Sequence, residues 1–163
     1  MRPAGEAIPQ APAGGGTAAR FMATALQSAR RAGLAGDAPI GACLVRAGEV
    51  LAVASNGVVS ELDVTAHAEV RALREACRRL RTLDLGGCEL YVTVEPCPMC
   101  LAACHYARVG HVTWAASLED LHALTGGELL GVGAPASIVT GGGVLREESL
   151  ALLRAWSAGR NRA

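Results

Sequence analysis

Hydrophobic positions along the chain repeat with two different spacings. From Thr17 to about Arg31, Met22 and Leu26 recur among alanines at helical intervals, and Gly33 and Gly36 just beyond are stop signals. The segments 40–45 (IGACLV) and 49–54 (EVLAVA) are rich in β-favouring residues, and the short turn at Ala47 and Gly48 between them predicts a hairpin. A second helix is predicted from near Thr65, with Val70, Leu73, Cys77 and Leu80 on one face and Arg71, Arg74 and Arg78 on another. After Gly86 and Gly87, the run 88–94 (CELYVTV) reads as a strand that leads into a third helix over 98–107. Pro98 suits the first turn of that helix, where its missing N–H would have had no partner. Two further strands are expected at 111–116 and 137–141, and an amphipathic closing helix at 146–156.

Strands separated by crossover helices imply a partly parallel sheet covered on both faces, a three-layer α/β/α sandwich. Residues 1–16 are mostly Ala, Pro and Gly with almost nothing to bury, so a mobile tail is expected there and a single folded domain over 17–163. A chain of 163 residues with 51% hydrophobic content suits that reading, since this length buries roughly two-thirds of its unfolded surface in one core.

Composition narrows the function classes. No apolar run approaches the ~20 residues of a membrane span, and the first residues lack the apolar centre of a secretory signal, so a cytoplasmic protein is expected. Fifteen arginines balance fifteen acidic residues, so no overall field draws the chain to nucleic acid or to an anionic membrane. Only five aromatic residues are present (Phe21, Tyr91, Tyr106, Trp114 and Trp156), too few for a long base-stacking groove. Six cysteines in a chain large enough to hold together by packing read as metal ligands or reduced core residues rather than as a disulfide framework.

The chemistry concentrates in two short strings, 67–70 (HAEV) and 96–100 (PCPMC). Catalytic zinc takes three protein ligands and leaves its fourth tetrahedral position to water. His67, Cys97 and Cys100 supply three donors, and both cysteines sit at the open end of a helix, where free N–H groups and the helix dipole favour thiolates. If the N-termini of the second and third helices converge, one zinc ion per chain is gripped from both sides. Two thiolates already neutralise the dication and weaken its acidity, so a separate proton acceptor is needed. Glu69 fits that role, moving a proton from water to a substrate nitrogen without ligating the metal. The plainer readings are a structural metal half-site or core cysteines. A structural zinc would want a fourth ligand, and Cys104 lies about 6 Å further along the helix. Cys43, Cys77, Cys88 and Cys104 read as core residues, and His105, His111 and His122 as surface or hydrogen-bonded ones.

The H-x-E and P-C-x-x-C strings together resemble the signature of the cytidine deaminase-like superfamily of zinc deaminases. The resemblance runs from about Asp37 to Trp114, and the stretches 37–45, 54–73 and 90–112 are similar to the branch of guanine, cytosine and tRNA wobble-adenosine deaminases. It implies a five-stranded mixed sheet and a homodimer whose partner helps close the pocket. It also implies that Asn56, eleven residues before His67, contacts the base. By itself Asn56 reads first as a turn residue before Gly57.

Beyond Trp114 the chain departs from its branch. It lacks the Gly-Phe-Asp-Asp run associated with guanine deaminases, and its closing helix lacks the aromatic, strongly basic end of tRNA deaminases. Glu119 and Asp120 are either partners for the donor edge of guanine or helix-capping residues. The arginine stripe on the second helix is either a solvated face or a track for tRNA phosphates. The reading that results is hydrolytic deamination of a free nucleobase or nucleoside, guanine-like first, with a small molecule favoured over nucleic acid as the partner and no membrane. The alternatives are a tRNA wobble-adenosine deaminase, a cytosine deaminase, and a non-catalytic zinc-stabilised interaction domain in which Glu69 has no task.

Overall fold

A computed structural model describes residues 15–126 and 144–160. The chain divides into two compact units, Met1–Gly131 and Val132–Ala163. In the second unit the described element is helix α5, Arg146–Arg160, which begins where the closing helix is expected. The strand expected at 137–141 and nearly all of the expected tail lie outside the described residues.

The first unit carries helices α1 (Gly15–Leu34), α2 (Ala68–Leu80), α3 (Pro98–Tyr106) and α4 (Leu118–Thr125) and strands β1 (Gly41–Arg46), β2 (Glu49–Ser55), β3 (Cys88–Val94) and β4 (His111–Ala116). Its sheet has the order β2-β1-β3-β4. β1 is antiparallel to both β2 and β3, whereas β3 and β4 run parallel, so the sheet is mixed. Four strands are described where five were expected. Ala47 and Gly48 both adopt positive φ, the geometry of a two-residue hairpin turn whose twist matches that of the strands it joins.

Side chains alternate across the sheet, and both faces are covered. Ala42 and Leu44 of β1 and Leu90 and Val92 of β3 pack with Ala68, Ala72, Leu73 and Ala76 of α2 and Cys104 of α3. Cys43, Val45 and Tyr91, one residue out of phase, pack with Phe21 and Ala25 of α1. This is the three-layer arrangement expected from the alternation of strands and helices. Leu44, Leu90 and Val92 are fully buried, each contributing roughly 1.5–3 kcal/mol through removal from water.

The buried face of α2 differs from expectation. Ala68, Glu69, Ala72, Leu73 and Ala76 point inward, while Val70, Cys77 and Leu80 are only half-buried. The alanines let the helix backbone settle close to the sheet, and that shifts the inward stripe around the helix and turns Glu69 into the core. Two arginines of the same helix serve the sheet edge: Arg71 and Arg79 donate to the carbonyls of Ser55 (2.6 Å) and Leu51 (2.8 Å) on β2. Satisfying carbonyls on an edge strand with charged side chains removes a template for pairing with another chain.

α1 approaches β1 so closely that Gly41 has no room for a side chain. A Cβ there would run into the carbonyl oxygen of Ala25 and lie 2.6 Å from Ala29 N. Gly41→Ala is therefore expected to destabilise the fold by about 1–3 kcal/mol, measured by urea denaturation, because backbone rather than a flexible side chain must yield. Unchanged stability would show that α1 does not pack against β1 in this way.

Candidate active site

His67 and Cys97 occupy equivalent places. Each is the N-cap residue of its helix, α2 and α3, with extended backbone and a carbonyl that accepts the first helical hydrogen bond, from Arg71 N and Leu101 N (both 3.0 Å). N-cap side chains ordinarily turn back to bond the helix N–H groups, yet neither of these does so. They are directed at each other. His67 Nδ1 lies 3.7 Å from Cys97 Sγ and 3.5 Å from Cys100 Sγ. A tetrahedral zinc with ordinary bond lengths would set a nitrogen and a sulfur ligand roughly 3.6 Å apart, so the spacing fits the ion. Among the described residues this is the one cluster of three or more His, Cys, Asp or Glu donors with metal-binding spacing.

The electrostatics agree. Among the protein groups themselves, a hydrogen bond from Cys100 holds the Cys97 thiol down to about 4 against the cost of burial, and His67 also lowers it. His67 is raised, first by its hydrogen bond with Cys97. Cys100 is pushed up, first by its hydrogen bond to Cys97 and then by burial. One thiolate is thus favoured without help, and a divalent cation stabilises both sulfurs as thiolates.

Glu69 stands beside the trio but outside the ligand set. It is 3% exposed, and its Oε2 has no hydrogen-bond partner among the described residues. Burial, the largest influence, raises its pKa above the ordinary carboxylate range. A buried carboxylate oxygen without a partner is costly to a fold and marks a place where another group, here water or substrate, is meant to bond. Glu69, His67 and Cys97 line a cavity of about 30 Å³ whose wall also includes Glu95 and, from α4, Leu118 and Leu121. That space holds a water molecule, whereas pockets for small ligands start near 300 Å³.

Of the expected site residues, the structure brings His67, Cys97, Cys100 and Glu69 together; Asn56 does not itself line that cavity, but its backbone N–H donates at 2.9 Å to the carbonyl of Ile40, which does. Asn56 is buried, and its Oδ1 accepts the Val58 N–H at 3.1 Å, which leaves its amide N–H groups as the available donors. Its loop is tied to the site by Gly57 N–H donating to Ala66 O (3.0 Å), one residue before His67. The same loop is pinned by Asp37, whose Oδ1 accepts from Val59 N (2.8 Å) and Ser60 N (3.2 Å). Asp120 is a helix cap: it completes a capping box with Ser117, and Glu119 is exposed. Arg71 and Arg74 are engaged by Glu61 (2.5 Å) and Asp63 (3.7 Å). Cys43, Cys88 and Cys104 are buried, Cys77 is half-buried, and none forms a disulfide. His105 and His122 are exposed and His111 is half-buried.

Sequence reasoning passed over Glu95, Asp37, Leu118 and Leu121. A carboxylate two residues before a metal-binding cysteine was a usable signal for Glu95, while the α4 leucines carried none, because only the sheet brings α4 to the cavity.

The sequence model of the cytidine and deoxycytidylate deaminase zinc-binding region matches residues 16–116, and the chain belongs to this family of zinc-dependent deaminases, hydrolases that act on C–N bonds. Its cofactor is zinc, and His67, Cys97 and Cys100 form the candidate site for it. The tRNA-specific adenosine deaminase of Aquifex aeolicus (strain VF5) is 49% identical over 102 residues, 63% of this chain and 67% of that protein. The guanine deaminase of Bacillus subtilis (strain 168) is 46% identical over 89 residues, 55% of this chain and 56% of that protein. The X-ray structure of guanine deaminase from Bacillus subtilis superposes with a TM-score of 0.74 at 35% identity, covering 86% of this chain and 93% of that one. The chain thus spans 56% to 67% of the length of the two sequence relatives. Among the described residues, no helix is long and apolar enough to cross a membrane.

Cys100→Ala is expected to lower zinc content well below one ion per chain by elemental analysis, and to lower stability, since metal binding to the folded site adds to folding free energy. Full zinc occupancy in that variant would remove Cys100 from the ligand set.

Proposed function

We propose that this chain deaminates adenosine in a tRNA anticodon loop by zinc-dependent hydrolysis, converting it to inosine and releasing ammonia. The observation that carries the deaminase chemistry is the buried, unpartnered Glu69 carboxylate beside the His67–Cys97–Cys100 trio. Bound zinc supplies Lewis acidity toward water. Glu69, held above its ordinary pKa by burial, would take one proton from the water and pass it to the ring nitrogen, then take the second from the hydroxyl added at the amino-bearing carbon and pass it to the departing amine, which leaves as ammonia. A C–O bond forms at the amino-bearing carbon, the C–N bond breaks, and the ring is left as the keto form. Asn56 supports purine binding, since its free donors suit the ring-nitrogen acceptors that adenine and guanine share.

The order of substrates reverses the sequence expectation of guanine. Support for adenosine comes from the 49% identity to a tRNA-specific adenosine deaminase. It also comes from the fate of the two carboxylates offered by the sequence as partners for guanine, since Asp120 is occupied as a helix cap and Glu119 faces solvent. A water-sized cavity must in any case widen to admit a base extruded from a loop. Guanine remains the second reading because the solved guanine deaminase aligns over 86% of this chain. The neutral net charge and the internal pairing of Arg71 and Arg74 suggest a small phosphate footprint, hence a shallow dependence of tRNA binding on salt. For the homodimer, the supporting feature is an apolar groove of about 550 Å³ between α2 and α3, lined by Leu73, Cys77, Leu83, Ala103 and Tyr106.

The decisive experiment offers a tRNA with adenosine at the wobble position and, separately, guanine, cytosine and their nucleosides, and reads inosine and ammonia. Inosine in the tRNA, with no ammonia from the small substrates, is expected; ammonia from guanine alone would replace this reading with the second. Glu69→Gln is expected to keep zinc and fold while slowing turnover by roughly 10²- to 10⁴-fold, the usual worth of general acid/base catalysis. Substantial activity in that variant would assign the proton transfer to another group.

A further inference from the structure

Glu95 joins the metal-ligand loop to the helix that walls the cavity. Its backbone N–H donates to Ala116 O at 2.8 Å, carrying the β3–β4 pairing one residue beyond Val94 and fixing the residue two places before Cys97. Its side chain reaches forward, and Oε2 accepts the N–H of Leu118, the first residue of α4, at 3.0 Å. Leu118 and Leu121 then line the cavity that holds Glu69 and His67.

Two features make this one hydrogen bond the control point. The N-terminus of α4 has its own capping box besides: Ser117 N–H donates to Asp120 Oδ2 (2.8 Å) and Asp120 N–H donates to Ser117 Oγ (3.0 Å). Losing Glu95 therefore leaves the helix capped and folded. At the same time α4 buries none of its residues, and Leu124 is 86% exposed, so little apolar packing holds it in place. An element with few buried contacts belongs to the low-stability end of a fold, where movement is cheapest. A carboxylate at a helix N-terminus is favoured by the helix dipole as well as by the hydrogen bond, which suits it to hold such an element.

We propose that Glu95 is a positioning residue that latches α4 against the metal-ligand loop, and that releasing the Leu118 N–H widens the water-sized cavity to admit a base. The need to admit a base rests on the deaminase reading. The latch itself does not, and it can be tested without substrate.

Three zinc-loaded proteins are compared: wild type, Glu95→Ala and Glu95→Gln. The readouts are amide hydrogen exchange and the rate of zinc transfer to excess 4-(2-pyridylazo)resorcinol. In Glu95→Ala, exchange at the Leu118 amide and zinc transfer are each expected to rise on the order of tenfold, the worth of a hydrogen bond to a charged group. Exchange at Leu90 and Val92 in β3 should stay at the wild-type rate. Glu95→Gln keeps an acceptor oxygen, and its rates should stay within roughly threefold of wild type. Unchanged Leu118 exchange and zinc transfer in Glu95→Ala would overturn the latch. So would an equal rise at Leu90 and Val92, which would make Glu95 a general support of the fold, or a Glu95→Gln protein that behaves like Glu95→Ala.

Discussion

The meeting of two helix N-termini constrains everything else in the first unit. α2 and α3 begin facing each other, because His67 and Cys97 are the residues at which those helices start and their side chains meet at 3.7 Å. That convergence requires both helices to lie on one face of the sheet, and the shared cluster of Ala68, Ala72, Leu73 and Cys104 over Leu44, Leu90 and Val92 places them there. The parallel step from β3 to β4 follows from it, since α3 is the crossover between those strands. The alanine-rich face of α2 follows too, because larger inward residues would lift the helix and carry His67 away from the sulfurs.

The same approach explains how a carboxylate comes to be buried. Glu69 lies on the inward stripe between Ala68 and Ala72, so drawing α2 onto the sheet takes Glu69 out of water with it. The resulting penalty is what raises its proton affinity and leaves Oε2 in need of a partner. Packing and the state of this carboxylate are therefore one arrangement: residues that bring the helix close also raise the proton affinity of Glu69. Cys104, one turn beyond Cys100 and on the same buried side of α3, is held in the core rather than offered to the metal.

The donor cluster and the outer wall of its cavity are held in different ways. The trio and Glu69 are set by α2, α3 and the end of β3, all firmly packed. The outer wall is set by α4, an element that buries none of its residues and depends on polar contacts to Glu95 and within its own capping box. The loop that bears Asn56 is likewise held by polar bonds, to Asp37 and Ala66, rather than by a core of its own.

The sequence by itself marked the candidate metal ligands. His67, Cys97 and Cys100 are legible because metal-ligand spacing and helix-start signals are local, and the Ala47–Gly48 turn is legible for the same reason. The coverage of both sheet faces was also readable, from strands separated by helices. Tertiary structure decided which side of α2 turned inward, since periodicity marks an apolar stripe but not how closely a sheet allows that stripe to approach. It also decided that Asp120 caps a helix, that Arg71 and Arg79 seal a strand edge, and that Glu95 meets a backbone N–H 23 residues further along the chain. Those contacts pair a side chain with a distant main-chain atom, and every residue offers the same main-chain atoms, so nothing in the sequence singles out the partner until the fold brings it near.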